Sequence, residues 1–204
     1  MVDTDTMMNE MGGAFMVAWL AGGVGDLGGA LVLAAAWMAI GGAHILPVIT
    51  WGHIMTGDLG DTDAWMDNGS RLVAQVVGAI LALMLAGGGT VAGVGADDVT
   101  AMWSFDLWDT MGAVAAGALL WTVYSRCDAW VTAFVVMAIA MTAVAGDADT
   151  EAVAAALNFG GASDMGTSLV GGGDEMGAAV VAWVMGGLWA GVGALVATKI
   201  PDML

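Results

Sequence analysis

The sequence predicts an all-α membrane protein of six transmembrane helices and two short re-entrant half-helices. Three observations carry that prediction. Of 204 residues, 59% are apolar and only 11% charged, with a mean hydropathy of +0.85, whereas a soluble domain carries about 25% charged residues. The apolar residues gather into six segments, near 9–25, 27–41, 70–89, 107–125, 129–146 and 177–198, and roughly 17–25 such residues cross a hydrocarbon core about 30 Å thick. The aspartates cluster between these segments, at Asp58–Asp67, Asp97-Asp98, Asp147–Asp149 and Asp174-Glu175.

The same composition excludes several functions. A net charge of -17 with only Arg71, Arg126 and Lys199 as fixed cations cannot neutralise a phosphate backbone, so no nucleic-acid partner is expected. The single cysteine, Cys127, rules out an internal disulfide framework and a thiolate metal cluster. No G-x-S-x-G, E-x-x-H or paired His-carboxylate motif lies in the spans, so the chain does not read as an enzyme. Gly87–Gly89 and Gly171–Gly173 lack the following Lys-Ser/Thr of a phosphate loop, and no cofactor is expected.

Taken in order, the N-terminus Met1-Val2-Asp3-Thr4-Asp5 has no basic n-region, which argues against a cleaved signal peptide. The segments are rich in Ala, Gly, Val, Leu and Met, and the 33 glycines suit lipid, where small residues let helix backbones approach closely. The second segment is short for a full crossing. Two further apolar stretches, 46–56 and 161–170, are shorter still: ten or eleven helical residues cover only about 15 Å. Such pieces are re-entrant candidates, tolerated at membrane depth where they are buried in protein or line a wet cavity. With the N-terminus inside, Arg71, Arg126 and Lys199 all fall on the cytoplasmic side, as the positive-inside rule asks. The chain therefore reads as a multi-pass cell-membrane protein with both termini cytoplasmic.

The two halves, about 1–100 and 101–204, carry an internal likeness. Glu10 with Gly13 recurs as Asp109 with Gly112, and Gln75-Val76-Val77-Gly78 aligns with Trp183-Val184-Met185-Gly186. Each half reads as span, span, short segment, span. Three spans per half is odd, so the halves insert in opposite orientation, the inverted-repeat arrangement that places a pathway between them.

Gly41-Gly42-Ala43-His44-Ile45-Leu46-Pro47-Val48-Ile49-Thr50-Trp51-Gly52 resembles the first half-helix signature of the major intrinsic protein family, the aquaporins and glycerol facilitators, which reads S-G-A-H-x-N-P-A-V-T-x-G. Gly42, Ala43, His44, Pro47, Thr50 and Gly52 match, while Leu46 stands for the asparagine and Val48 for the alanine. Glu10-x-x-Gly13 resembles the helix-one E-x-x-G, Asp109-x-x-Gly112 its helix-four counterpart, and Val73–Ala79 the helix-three A-Q-x-x-G-A pattern. Gly186 stands where helix six of the family has proline. The second signature, N-P-A-R-S-x-G-P-x-L-V-G-G, fits Gly160–Gly172 through Ala162, Gly166, Leu169, Val170, Gly171 and Gly172. Gly160 and Gly161 then replace the Asn-Pro pair, and Ser163 replaces the arginine. Rival registers place Asn158 or Met165 at the asparagine position, and none supplies an arginine.

The resemblance implies a passive channel for water or small neutral solutes such as glycerol, ammonia and dissolved gases. It implies a pore centre at Leu46, Pro47, Val48, Gly160, Gly161 and Ala162, and a selectivity filter including Leu33 and Ser163. Met141 is one candidate for the unplaced helix-five position. Glu10, His44, Gln75, Asp109 and Asn158 would support the pore loops, and the assembly would be a homotetramer in the lipid bilayer. Two half-helix N-termini facing each other carry about +0.5 charge each, which repels cations as in aquaporin-type pores. Leu46 and Gly160 cannot donate the asparagine hydrogen bonds, and a filter without arginine is wider and less selective. Glu10 and Asp109 are also the only acids placed to ligate a coupling ion, so a small inverted-repeat secondary transporter is the alternative, with a degenerate, non-conducting relative as a third. His44 and His53 lie outside H-x-x-x-H spacing, and no metal is expected. The Asp-rich, Lys-poor loops resemble those of salt-adapted proteins and point to a host with high internal salt.

Overall fold

Aspartates cap four of the helices among the described residues. In the computed structural model, which describes residues 3–85, 104–144 and 176–200, Asp3 caps α1 (Thr4–Ala21), Asp26 caps α2 (Leu27–Ala39) and Asp106 caps α5 (Leu107–Tyr124). Each carboxylate accepts backbone N–H groups that the first turn leaves without a partner. At Asp3 the Thr6 hydroxyl and then the Asp5 N–H hold the carboxyl below the usual carboxylate range. Asp61 caps α4 (Thr62–Leu85), accepting the backbone N–H groups of Asp63 and Ala64. That cap explains why α4 starts well before the apolar stretch at 70: its first two turns run through Asp63, Asp67 and Asn68. At its other end α1 stops at Gly22, whose φ of 69° closes the helix in the left-handed region that glycine adopts without penalty.

The remaining helices are α3 (Pro47–Thr56), α6 (Ala129–Val144) and α7 (Met176–Lys199). Every regular element among the described residues is helical. Among the described residues, two helices are long and apolar enough to cross a bilayer, Thr62–Leu85 and Val180–Lys199. The other segments expected to span are shorter or more polar as helices; Leu27–Ala39, with 13 residues, covers only about 20 Å.

The helices pack as two triples. α1 lies against α2 and α4, and α5 lies against α6 and α7. α2 packs on α6 across the two sets, and α3 sits among α4, α5 and α7. Glycine permits the closest crossings. A Cβ on Gly78 of α4 would collide with the Met11 carbonyl of α1, one on Gly117 of α5 with the Ala190 carbonyl of α7, and one on Gly193 of α7 with the Val114 carbonyl of α5. The main core gathers Val17, Val24, Leu33, Ile45, Leu46, Ile49, Leu120 and Val136 from both triples, with the loop before α3 at its centre.

Candidate functional site

The site is built around a short helix that the rest of the protein encloses. Seven of the ten residues of α3 are buried: Pro47, Val48, Ile49, Thr50, Trp51, Gly52 and Ile54. Pro47 occupies the first helical position, where its missing N–H costs nothing. The N-cap, Leu46, has an apolar side chain and makes no capping bond, so nothing from this residue offsets the positive end of the helix dipole. Leu46 and Val48 are 1% and 3% exposed.

The chain reaches Leu46 through a strained turn. The Leu46 N–H donates to the His44 carbonyl at 2.7 Å, with Ile45 between them at φ 65°. A β-branched residue in that region costs on the order of 1–3 kcal/mol and persists only where its surroundings impose it. Glu10 on α1 imposes it. The Glu10 carboxylate is fully buried, with Oε1 accepting the His44 N–H at 2.7 Å and Oε2 the Ile45 N–H at 2.6 Å. The Ile45 side chain lies on Gly13, one turn along α1, where a Cβ would come within 2.6 Å of it.

Two residues of α4 complete the carboxylate. Arg71 Nη1 donates to Glu10 Oε1 at 2.8 Å and to the Gly42 carbonyl at 3.2 Å, while its Nε meets Asp67 Oδ2 at 3.2 Å. Gln75 Nε2, one turn further, donates to Glu10 Oε2 at 2.8 Å and to Thr50 Oγ1 at 3.0 Å. The Thr50 hydroxyl also lies 3.1 Å from His44 Nδ1, so α3 is tied back to its own loop. Each Glu10 oxygen therefore holds two donors. Gln75 Oε1 is buried with no partner among the described residues. From α2, Trp37 Nε1 donates to the His44 carbonyl at 3.0 Å.

Glu10, His44 and Gln75, three residues that the sequence singles out, thus meet around one loop. Arg71 and Thr50 belong to the same network. Arg71 sits four residues before Gln75, on the same face of α4, and in the sequence it stands out only as a cation of the cytoplasmic side. Leu33 is fully buried in the main core. Asp109 is exposed in the first turn of α5, with its backbone N–H on Asp106 Oδ1 at 3.2 Å. Asn158, Gly160, Gly161, Ala162 and Ser163 lie outside the described residues. No group of three or more His, Cys, Asp or Glu placed to hold a metal ion occurs among the described residues.

No known family profile and no curated protein sequence matches the chain.

Proposed function

We propose that the chain is a passive transmembrane channel for water or small neutral solutes, of aquaporin-like design. In this reading six helices span the bilayer as two inverted repeats, about 1–100 and 101–204, with cytoplasmic termini. The segment 41–56 enters the membrane as loop and half-helix, and 155–172 supplies its counterpart. The observation that carries the reading is the enclosed α3, with its loop fixed by a buried carboxylate at the Ile45 and His44 N–H groups. A ten-residue buried helix with a strained lead-in is costly to build, and at membrane depth such irregular backbone is tolerated only where it is buried in protein or lines a wet cavity. The two triples of helices, packed in the same pairwise order, support the repeat. Asp109 and Asn158 take the loop-supporting role in the second half, Leu33 and Ser163 contribute to the filter, and the channel assembles as a homotetramer.

The network also favours passive conduction over coupled transport. All four donors around Glu10 are supplied by protein, which leaves its oxygens no free position for a coupling ion. A second reading, a closed relative of such channels, draws on the buried Leu46 and Val48 side chains at the start of α3.

Reconstituted vesicles separate these readings. A channel makes protein-bearing vesicles shrink faster than empty ones after an osmotic jump, with no response to a pH or sodium gradient. A gradient-dependent flux abolished by Asp109→Asn supports a transporter. A folded, inserted protein that accelerates neither water, glycerol, urea nor ammonia supports the closed form.

A further inference from the structure

The outward faces of the helices carry apolar bands that are short along the helix axis. On α2, Leu27, Leu31, Ala35 and Met38 are exposed, and their spacing puts them in one stripe along the side of the helix. Polar groups close both ends of that stripe. At its start Asp26 is exposed, with its carboxylate on the Gly29 N–H at 2.8 Å. At its finish Gly41 and Gly42 are exposed, and the Gly42 carbonyl holds Arg71 Nη1 at 3.2 Å. Only residues 27–40 lie between the carboxylate and the guanidinium, and as helix they rise about 21 Å.

α5 has the same proportions. Met111, Ala115 and Leu119 are exposed between Asp109 on one side and the exposed turn Ser125-Arg126-Cys127-Asp128 on the other. Residues 110–124 rise about 22 Å. On α1 the exposed Asn9 and the turn at Gly22 bracket about 18 Å. α7 is longer, but none of residues 182–195 is exposed, so its length does not set the height of the outward face.

Tryptophan marks the helix ends independently. Every exposed tryptophan among the described residues lies in a first or last turn: Trp19 at the end of α1, and Trp65, Trp108 and Trp130 at the starts of α4, α5 and α6. An indole is favoured at the headgroup level, where one part of the ring is apolar and its N–H is wet. In the topology proposed above, Trp19 and Trp108 share the outer end, and Trp65 and Trp130 the inner.

These heights fall short of a hydrocarbon core about 30 Å thick. Tilt widens the shortfall, since a leaning helix reaches less far along the bilayer normal. The borders hold whether lipid or a neighbouring copy covers the stripes, because hydrocarbon excludes the charges of Asp26, Asp109, Arg126 and Asp128 in either case. The adjustment left is in the lipid, which thins around a short protein at a cost that grows with each ångström of mismatch.

Resting on the multi-pass membrane reading above, we infer that the protein is built for a thin bilayer, with a hydrocarbon layer of about 20–23 Å, and that lipids with short acyl chains are the partners its outward surface fits.

Fluorescence quenching of the reconstituted protein tests this. The exposed tryptophans are quenched by a phosphatidylcholine whose eighteen-carbon chains carry bromine. Unbrominated phosphatidylcholines with monounsaturated chains of fourteen, eighteen and twenty-two carbons then compete for the protein surface. The fourteen-carbon lipid should relieve quenching about threefold more effectively than the eighteen-carbon lipid, and the twenty-two-carbon lipid least of all, as mismatch costs predict. The unfolding midpoint should fall in the same order of chain length. Equal competition by the three lipids, or an optimum at eighteen or twenty-two carbons, overturns the inference and leaves the membrane reading intact. Absence of quenching by the brominated lipid overturns the membrane reading itself.

Discussion

Glu10 holds a carboxylate where none of its surface meets solvent, and its whole environment answers that charge. Two backbone N–H groups, one guanidinium and one amide donate to it, the pattern that makes a buried ion tolerable. Arg71 is 15% exposed in its side chain, so the pair sits at the edge of the core and the guanidinium keeps a second partner in Asp67. Removing the cation alone leaves the carboxylate uncompensated. Arg71→Met is expected to cost about 3–5 kcal/mol, and adding Glu10→Gln to it should recover part of that loss. Thermal unfolding in detergent of the two single variants and the double variant measures this; strictly additive losses would mean that the two residues do not act as a pair. Much of this site was legible in the sequence. The resemblance of their motifs to a known signature marks Glu10, His44 and Gln75 as loop supports, and all three join one hydrogen-bond network. Arg71 was legible only as a topology marker, because a lone cation at a helix start resembles any positive-inside residue. The strain at Ile45 had no signal, since a β-branched residue is an improbable choice for φ 65°.

At the scale of elements, glycine decides which helices touch. α5 and α7 approach so closely that a side chain on Gly117 would meet backbone, and backbone cannot move aside as a flexible side chain can. Gly117→Leu should therefore destabilise by about 3 kcal/mol, the upper end of overpacking costs. Gly112 lies on the same helix with nothing near its virtual Cβ, and Gly112→Ala should be neutral or stabilise by up to about 1 kcal/mol through helix propensity. Unfolding midpoints of the two variants check this, and equal effects would deny the crossing its role. The helix starts at 27, 107 and 129 were legible from apolar patterning. The start of α4 at Thr62 was not, because the Asp61 cap carries the helix through a polar stretch that reads as loop. The short helix at 47–56 was legible from length alone: a Pro-led apolar run too brief to span and too apolar for an exposed loop.

At the scale of the whole molecule, hydropathy and acidity belong to different places. The carboxylates of the 57–61 loop and the start of α4, Asp58, Asp61, Asp63 and Asp67, lie close together in the chain, with Arg71 pairing Asp67. Their mutual repulsion is screened when the Debye length falls to about 3 Å at 1 M salt. Stability should therefore rise from dilute buffer to molar salt, and equal melting temperatures in both would contradict an adaptation to high salt. The central claim is that these helices enclose a passive route through the bilayer, and osmotic shrinkage of reconstituted vesicles tests it most directly. Protein-bearing vesicles should change volume or take up ammonia faster than empty vesicles of the same lipid, with no imposed ion gradient. Identical rates for water, glycerol, urea and ammonia, from protein verified as folded and inserted, would contradict it.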